Sequence, residues 1–226
     1  MKIQSSFPRL EGYRFPREVI AYAVWAYHRF SMSGEDVEDL LAERGVIVSR
    51  ETVRKWVNKF GSHFASCIRR NRLRPKDKWH VDEVVITIRG KKHWLWRGID
   101  ADGDVLDILV QPHRNAKAAK RFLKKLINQF GAPRTIVTDK LRSYTKPIKA
   151  LDKNADHRAH KGLNNAIEVS HRRTRKREKI FGRFKSHRHA QRFLSAHDQI
   201  SLVFLPRSHK LNAHSYRHSR ADAFQL

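Results

Sequence analysis

Three carboxylates lie where an acidic side chain is unusual. Asp82 falls inside the apolar stretch "WHVDEVVITIRG", Asp139 comes directly after "RTIVT", and Glu168 follows Ile167 in "LNNAIEVSH". A carboxylate beside apolar residues costs free energy unless a partner or a bound cation stabilises it. These three residues are therefore the candidates for chemistry in this sequence.

Two of these acids belong to predicted strands that are able to lie side by side. Side chains alternate along a strand, so Asp82 is expected to share a face with the apolar residues after it, while Glu83 points to the other face. Asp139 ends the fourth predicted strand. If that strand lies beside the strand of Asp82, the two carboxylates come close together, and a helix packed across the sheet would supply Glu168.

Converging acids of this kind are typical of a divalent-metal site. Three carboxylates repel one another without a cation, and a set of oxygen ligands selects a hard ion such as Mg²⁺. Two such ions about 3.5–4 Å apart activate a water or hydroxyl group in phosphodiester displacement.

Each acid also has a structural alternative. Asp82 could pair with His80 or a buried arginine, Asp139 could cap the next helix, and Glu168 could pair with Arg172.

The elements that would position the acids begin near residue 79. Three β-rich stretches follow one another, and the last two are joined by "DADGD", which has the composition of a turn. A helix then begins after Asn115 and ends at Gly131, and another strand precedes Asp139. This order predicts a mixed α/β sheet with flanking helices.

Residues 16–61 have the pattern of a small all-helical unit. Ser33 is the expected N-cap of one helix, and the next helix, residues 49–60, has one apolar and one polar face. Two short helices joined by "GVIV" are typical of a helix-turn-helix, and a small helical bundle is the alternative. The residues expected to contact DNA are those of the polar face: Arg50, Arg54, Lys55, Asn58 and Lys59.

The last third, from about residue 164, is predicted to be mainly helical and is densely basic. Residues 169–192 contain ten Lys or Arg residues and one acid. The complete division is a helix-turn-helix unit over residues 1–70, a linker over 71–78, a catalytic domain over 79–204 and a C-terminal extension over 205–226. The linker is placed at the polar, proline-containing stretch "NRLRPKDK".

Composition narrows the class of partner. The 226 residues carry 48 Lys and Arg against 22 Asp and Glu, a net charge of +26, which favours nucleic acid as the partner over a merely basic surface on a small-molecule enzyme. A single cysteine excludes an internal disulfide and a cysteine-rich zinc site. No apolar run approaches the roughly 20 residues needed to cross a bilayer. A soluble cytoplasmic protein without a membrane partner is expected.

Several motifs in order resemble one family over nearly the whole chain. They are "WHVDE", "NAKAAKRFL", "TDKLRSY", "HKGLNNAIEVSH", "RRTRKRE", "FKSHRHAQRFLSAHDQI" and "YRHSRADAF". The sequence is similar to bacterial insertion-sequence transposases of the DDE type, specifically the family named after insertion sequence six.

The resemblance implies a ribonuclease-H-like catalytic domain in which Asp82, Asp139 and Glu168 bind two Mg²⁺ ions, with Mn²⁺ as a substitute. It implies DNA-backbone contacts from Lys140 and Arg175, beside those expected of the basic segment that includes Arg172 and Lys176. The partners would be double-stranded DNA, as terminal inverted repeats and as target, and further copies of the chain in a dimer or larger oligomer. No small-molecule substrate is implied.

The expected function is a transposase that cleaves a 3′ end and transfers it into target DNA, in a nucleoid-associated, cytoplasmic setting. Two alternatives remain open from the residues alone. One is a non-catalytic helix-turn-helix regulator or decayed element product, which needs no converging acids. The other is a ribonuclease-H-like nuclease without strand transfer.

Overall fold

The computed structural model describes residues 12–139, 143–160, 165–181, 184–203 and 211–224. Within these ranges the chain divides into two compact units. One is formed by the described parts of Met1–Ile68 and His197–Leu226, and the other is Arg69–Ala196. No helix in the described ranges is both long and apolar enough to cross a membrane.

Three helices open the first unit: α1 (Arg17–Arg29), α2 (Gly34–Ala42) and α3 (Arg50–Asn71). The predicted cap of α2 is confirmed, because the Ser33 backbone N–H donates to Asp36 at 2.7 Å and the Asp36 N–H donates to Ser33 Oγ at 3.0 Å. The third helix is longer than the predicted residues 49–60, since Ala65 and Cys67 continue its buried face.

The second unit contains a five-stranded mixed sheet. Its strands are β1 (Lys78–Ile88), β2 (Lys91–Asp100), β3 (Val105–Gln111), β4 (Thr135–Thr138) and β5 (Asp156–Ala159). They lie in the order β3-β2-β1-β4-β5, with β1, β2 and β3 antiparallel and with β4 parallel to both β1 and β5. The predicted mixed α/β sheet is confirmed, and its order is that of the ribonuclease-H-like fold.

One face of the sheet is covered by α4 (Ala116–Phe130), whose predicted N-cap is confirmed because Asn115 Oδ1 accepts from the Ala118 N–H at 2.9 Å. The helix turns its apolar side into the main core. The buried residues there are Trp79, Val81, Trp96, Leu106, Ala118, Ala119, Phe122, Leu123, Leu126, Ile136, Tyr144 and Ile148.

The other face of the sheet is covered by α6 (Asn165–Phe181), which contacts β1 and β2. The remaining helices are α5 (Thr145–Leu151), α7 (His187–Ile200) and α8 (Ala213–Phe224). The described part of the last third is thus mainly helical, as expected.

Candidate active site

The sheet brings two of the three predicted acids together. His80 of β1 pairs with Val137 of β4 in the parallel ladder, so Asp82 and Asp139 each lie two residues further along neighbouring strands. Ligand oxygens of Asp82, Glu83 and Asp139 lie within 4.8 Å of one another. The expected proximity of Asp82 and Asp139 is therefore confirmed, and Glu83 is an additional member of the acid group.

Glu168, the third predicted acid, lies in the first turn of α6 with an exposed side chain. It is not one of the three acids whose oxygens lie within 4.8 Å. The same helix nevertheless reaches the acid group, because Nε2 of His171 lies 3.3 Å from Oδ2 of Asp82. Glu168 precedes this contact by three residues, close to one helical turn.

A buried arginine attaches α6 to the sheet. Arg97 lies opposite Asp82 in the β1–β2 ladder and is 0% exposed. Its guanidinium donates to the Ser170 carbonyl at 2.6 Å and to the Thr174 hydroxyl at 2.5 Å. Buried charge is costly without such partners, so these bonds fix where α6 crosses the sheet.

Glu83 points to the face opposite Asp82, as alternation predicted, and is only 7% exposed. Arg114 donates to its Oε1 at 2.5 Å, and the Tyr144 hydroxyl donates to its Oε2. Burial raises the pKa of Glu83 to about 7, although the bonds from Tyr144 and Arg114 oppose that rise. Burial together with the neighbouring Glu83 raises the pKa of Tyr144 well above its usual value.

Arg114 connects Glu83 with the predicted catalytic acid Asp139. Its Nη2 lies 3.6 Å from Asp139 Oδ2, and its guanidinium carbon lies 4.9 Å from the centre of the Trp94 ring. A planar guanidinium with several donors is suited to hold two carboxylates at once. The position of Asp139 is therefore coupled to Glu83 and Tyr144 through this one side chain.

Sequence reasoning identified Asp82 and Asp139 but gave no site role to Glu83, Arg114, Tyr144 or His171. Burial on the second face of β1 was the available signal for Glu83. Arg114 had no comparable signal, because it lies 31 residues from Glu83 in the chain and meets it only through the fold.

The predicted DNA-binding residues fall on two helices. On α3, Arg50, Arg54, Lys55, Asn58 and Lys59 are exposed, while Val53, Trp56, Val57 and Phe60 are buried. On α6, Arg172, Arg175 and Lys176 are exposed, and Arg175 pairs with Glu178 at 2.8 Å. Lys140 lies outside the described residues. The predicted two-faced character of α3 is confirmed, and contact with DNA stays a prediction.

The donor set of the acid group fits a hard divalent cation. Asp82, Glu83 and Asp139 offer only oxygen ligands, and the side chains of Asp82 and Asp139 are 16% and 31% exposed, so an ion has a way in from solvent. Glu83 already accepts bonds from two partners, which leaves Asp82 and Asp139 as the better placed ligands.

Comparison with known proteins assigns the family. A family model described as a DDE domain, of the IS240 type, matches residues 76–205. This chain belongs to the DDE transposases of bacterial insertion sequences, in the family named after insertion sequence six, and it is an enzyme of DNA cleavage and strand transfer.

Two relatives from Staphylococcus aureus illustrate the match. The transposase for the insertion sequence-like element IS431mec is 38% identical over 170 residues, which cover 73% of this chain and 76% of that protein. The transposase for IS257 in transposon Tn4003 is 37% identical over 170 residues, with the same two coverages. The predicted family resemblance is confirmed.

Among solved structures, the HTLV-2 integrase catalytic core domain in complex with magnesium matches with a TM-score of 0.44 and 12% identity. That match covers 58% of this chain and 88% of the integrase domain. The catalytic core domain of BIV integrase matches with a TM-score of 0.43 and 15% identity, over 66% of this chain and 99% of that domain. Both likenesses are distant.

Proposed function

We propose that this transposase binds the terminal inverted repeats of its insertion sequence, cleaves the DNA at the 3′ ends and joins those ends to target DNA. Asp82, Asp139 and Glu168 are the proposed catalytic acids. The observation that carries the proposal is the meeting of Asp82 and Asp139 at the point where β1 and β4 lie side by side. A regulator that only binds DNA would have no use for this acid group.

The acids are proposed to hold divalent metal. Asp82 and Asp139 would be shared ligands, and Glu168 would join them from α6. When bound, Mg²⁺ would lower the pKa of a coordinated water or hydroxyl and stabilise charge on the phosphodiester oxygens. Magnesium in the HTLV-2 integrase core is consistent with this choice of ion.

The surrounding side chains would fix the acids in place. His171 lies against Asp82, and Arg114 lies against Asp139, so these two proposed metal ligands each have a positioning partner from another part of the chain. Positioning of this kind matters because a displacement of about 1 Å costs roughly 100-fold in rate. The Glu83–Tyr144 pair holds Arg114 from the side away from solvent.

The DNA-binding roles follow from charge and exposure. We propose that α2 and α3 form a helix-turn-helix that reads the terminal repeat, with the polar face of α3 toward the major groove. Arg172, Arg175 and Lys176, together with Lys140, would neutralise phosphates near the acids. The two ends of an element would be joined by a homo-oligomer, a dimer or larger, acting in the cytoplasm on nucleoid DNA.

The test is cleavage and joining with purified protein, a labelled terminal repeat of the family and Mg²⁺. Asp139→Asn keeps the size of the side chain and removes its charge, so we expect loss of both nicked and joined products with little loss of DNA affinity. Glu168→Gln is expected to have the same effect. Asp77→Asn is the matched control, because Asp77 is an exposed acid of the same unit that pairs with Arg134.

The outcomes separate the alternatives. Joined products that require metal and vanish in Asp139→Asn would support the transposase mechanism. Cleavage without joining would indicate a simple nuclease. An Asp139→Asn protein that cleaves as fast as the unaltered protein would refute the assignment of the acids.

A further inference from the structure

We propose that the exposed side of α4 binds the backbone of duplex DNA without regard to its sequence. This α4 basic face consists of Lys117, Lys120, Arg121 and Lys124. This proposal rests on the proposed function, since it adds a surface for DNA that approaches the same acid group. The residues of the α4 basic face lie on the face of the sheet opposite α6.

The geometry of α4 places the four residues of its basic face away from its core residues. Ala119, Phe122, Leu123 and Leu126 are all 0% exposed, whereas the four residues of the α4 basic face are exposed. Positions 117, 120, 121 and 124 recur at three- and four-residue spacing, which places them in one row along the helix. From Lys117 to Lys124 the row covers about 10 Å, at about 1.5 Å per residue.

The charges of this row are not used by the fold. Helix α4 contains no acidic residue. Lys125 is paired with Asp107 at 2.7 Å, but none of the four residues of the α4 basic face makes an ion pair or hydrogen bond with the described parts of the chain. Like charges three and four residues apart destabilise a helix, and Lys117 also lies at the positive end of the helix dipole. A polyanion would relieve both effects.

The row begins three residues after Arg114, whose side chain contacts the acid group. Arg114 precedes the helix cap Asn115 and contacts Asp139, so the first turn of α4 starts beside the proposed catalytic acids. A duplex held along the α4 basic face is thereby led toward Asp139. Repeated cations close to a phosphodiester-cleaving site favour DNA over an acidic protein as the partner.

The residue types favour backbone contact. Lysine and arginine neutralise phosphates, and contacts to phosphate position a protein on DNA without reading the base sequence. Phosphates follow one another at about 3.4 Å per strand along the axis, so a row of about 10 Å is long enough to meet two or three of them. Target DNA of arbitrary sequence is the partner that needs such a surface.

The experiment measures affinity for a labelled duplex of arbitrary sequence across a series of NaCl concentrations, in EDTA so that no cleavage occurs. The variant changes Lys117, Lys120, Arg121 and Lys124 to Gln in the full chain. Each lost phosphate contact lowers the steepness of log K against log salt by about 0.9, so the loss of two or three contacts should reduce the slope by about 1.8 to 2.7. The loss should be equal on a terminal-repeat duplex of the same length.

A charge-matched control changes Lys91, Lys92, Lys149 and Lys153 to Gln, four exposed lysines elsewhere in the same unit. If the loss of slope is specific to α4, the control variant keeps most of the slope of log K against log salt. Thermal unfolding of both variants provides a second measurement, and the α4 variant should be no less stable than the unaltered protein because repulsion within the helix is removed.

Equal slopes in the α4 variant and the unaltered protein would overturn the proposal, as would the same loss in both variants or a loss confined to the terminal repeat. These results are independent of catalysis. A protein that cleaves ends but shows no α4 effect would retain the proposed function and lose this surface. A protein that shows the α4 effect but does not cleave would retain the surface and lose the proposed function.

Discussion

Arg114 makes the placement of Asp139 depend on residues outside the acid group. The guanidinium contacts Glu83 and Asp139 and lies over Trp94. Arg114→Lys keeps the positive charge but cannot reach two carboxylates with a planar set of donors. We expect the rate of end cleavage to fall roughly 10- to 100-fold, since Asp139 loses one of the contacts that position it.

That prediction is checked by single-turnover cleavage beside a DNA-affinity measurement. Affinity should be nearly unchanged, because the charge is kept. Arg134→Lys is the matched control, as Arg134 is an exposed arginine paired with Asp77 in the same unit. Equal cleavage rates for Arg114→Lys and the unaltered protein would show that Asp139 is held by something else.

His189, which lies far from the acids in the sequence, makes a pH-dependent contribution to the free energy of unfolding. Its ring lies near Phe184 and Phe193, and burial first, then Arg192 and Lys185, lowers its pKa below the usual 6.5. Below pH 6.5 the unfolded chain therefore binds a proton that the folded chain does not. Stability from this group is complete above pH 6.5 and is lost as pH falls toward the lower, folded pKa.

His189→Gln removes this dependence. Urea unfolding at pH 7.5, 6.5 and 5.5 should show that the unaltered protein loses more free energy of unfolding on acidification than the variant does. His113→Gln, at an exposed histidine, should leave the loss unchanged. A larger loss in His189→Gln would reverse the sign and contradict the assignment.

At the scale of elements, the site depends on the attachment of α6. Arg97 is the buried link between β2 and this helix, through Ser170 and Thr174. Arg97→Met fills similar space without donors and removes both of these bonds. Hydrogen bonds to charged groups are worth about 1.5–3 kcal/mol, so we expect a loss of about 2–3 kcal/mol in the free energy of unfolding.

The readout specific to α6 is amide hydrogen exchange. Residues 165–181 should exchange faster in Arg97→Met, while α4 on the other face should change little. Arg72→Met is the control, because Arg72 donates to the carbonyls of Val105 and Leu106 and stabilises β3 instead. Uniform acceleration across the sheet would mean that Arg97 supports the whole unit rather than the helix.

Elements with strong local signals could be predicted from the sequence. Ser33 and Asn115 begin helices because their side chains satisfy free N–H groups, and both caps were readable. The helix predicted between the third and fourth strands allows β4 to lie beside β1, and the parallel pairing of these two strands confirms that arrangement. By contrast, β5 ("DHRA") has three polar residues and one alanine, so no apolar pattern marks it, and its pairing with β4 is what makes it a strand.

Side-chain contacts across the fold could not be predicted in the same way. The parallel pairing of β1 with β4 places Asp82 and Asp139 side by side. The bridge from Glu83 to Asp139 depends instead on Arg114, which reaches the site from the segment before α4. His171 similarly reaches Asp82 only because Arg97 fixes α6 on the sheet. Sequence patterns specify faces and caps, but not which side chains meet when two elements pack.

At the scale of the whole molecule, the net charge of +26 opposes compaction. The 48 basic residues outnumber the 22 acids, so ion pairs leave most cations without an acidic partner. The Debye screening length falls from about 10 Å at 0.1 M salt to about 3 Å at 1 M, which weakens this repulsion between like charges. The apparent melting temperature should therefore rise by a few degrees when NaCl is raised from about 0.1 M to about 1 M.

DNA affinity should change in the opposite direction over the same range, because DNA binding releases counterions. The two measurements on one preparation therefore test the same excess charge in two ways. Thermal unfolding of the α4 variant adds a local check, since removing four cations should reduce the stabilisation by salt. If salt instead lowered the melting temperature, attractive ion pairs such as Lys125 with Asp107 would outweigh the net repulsion, and the basic surface would be balanced in the folded chain before any DNA is bound.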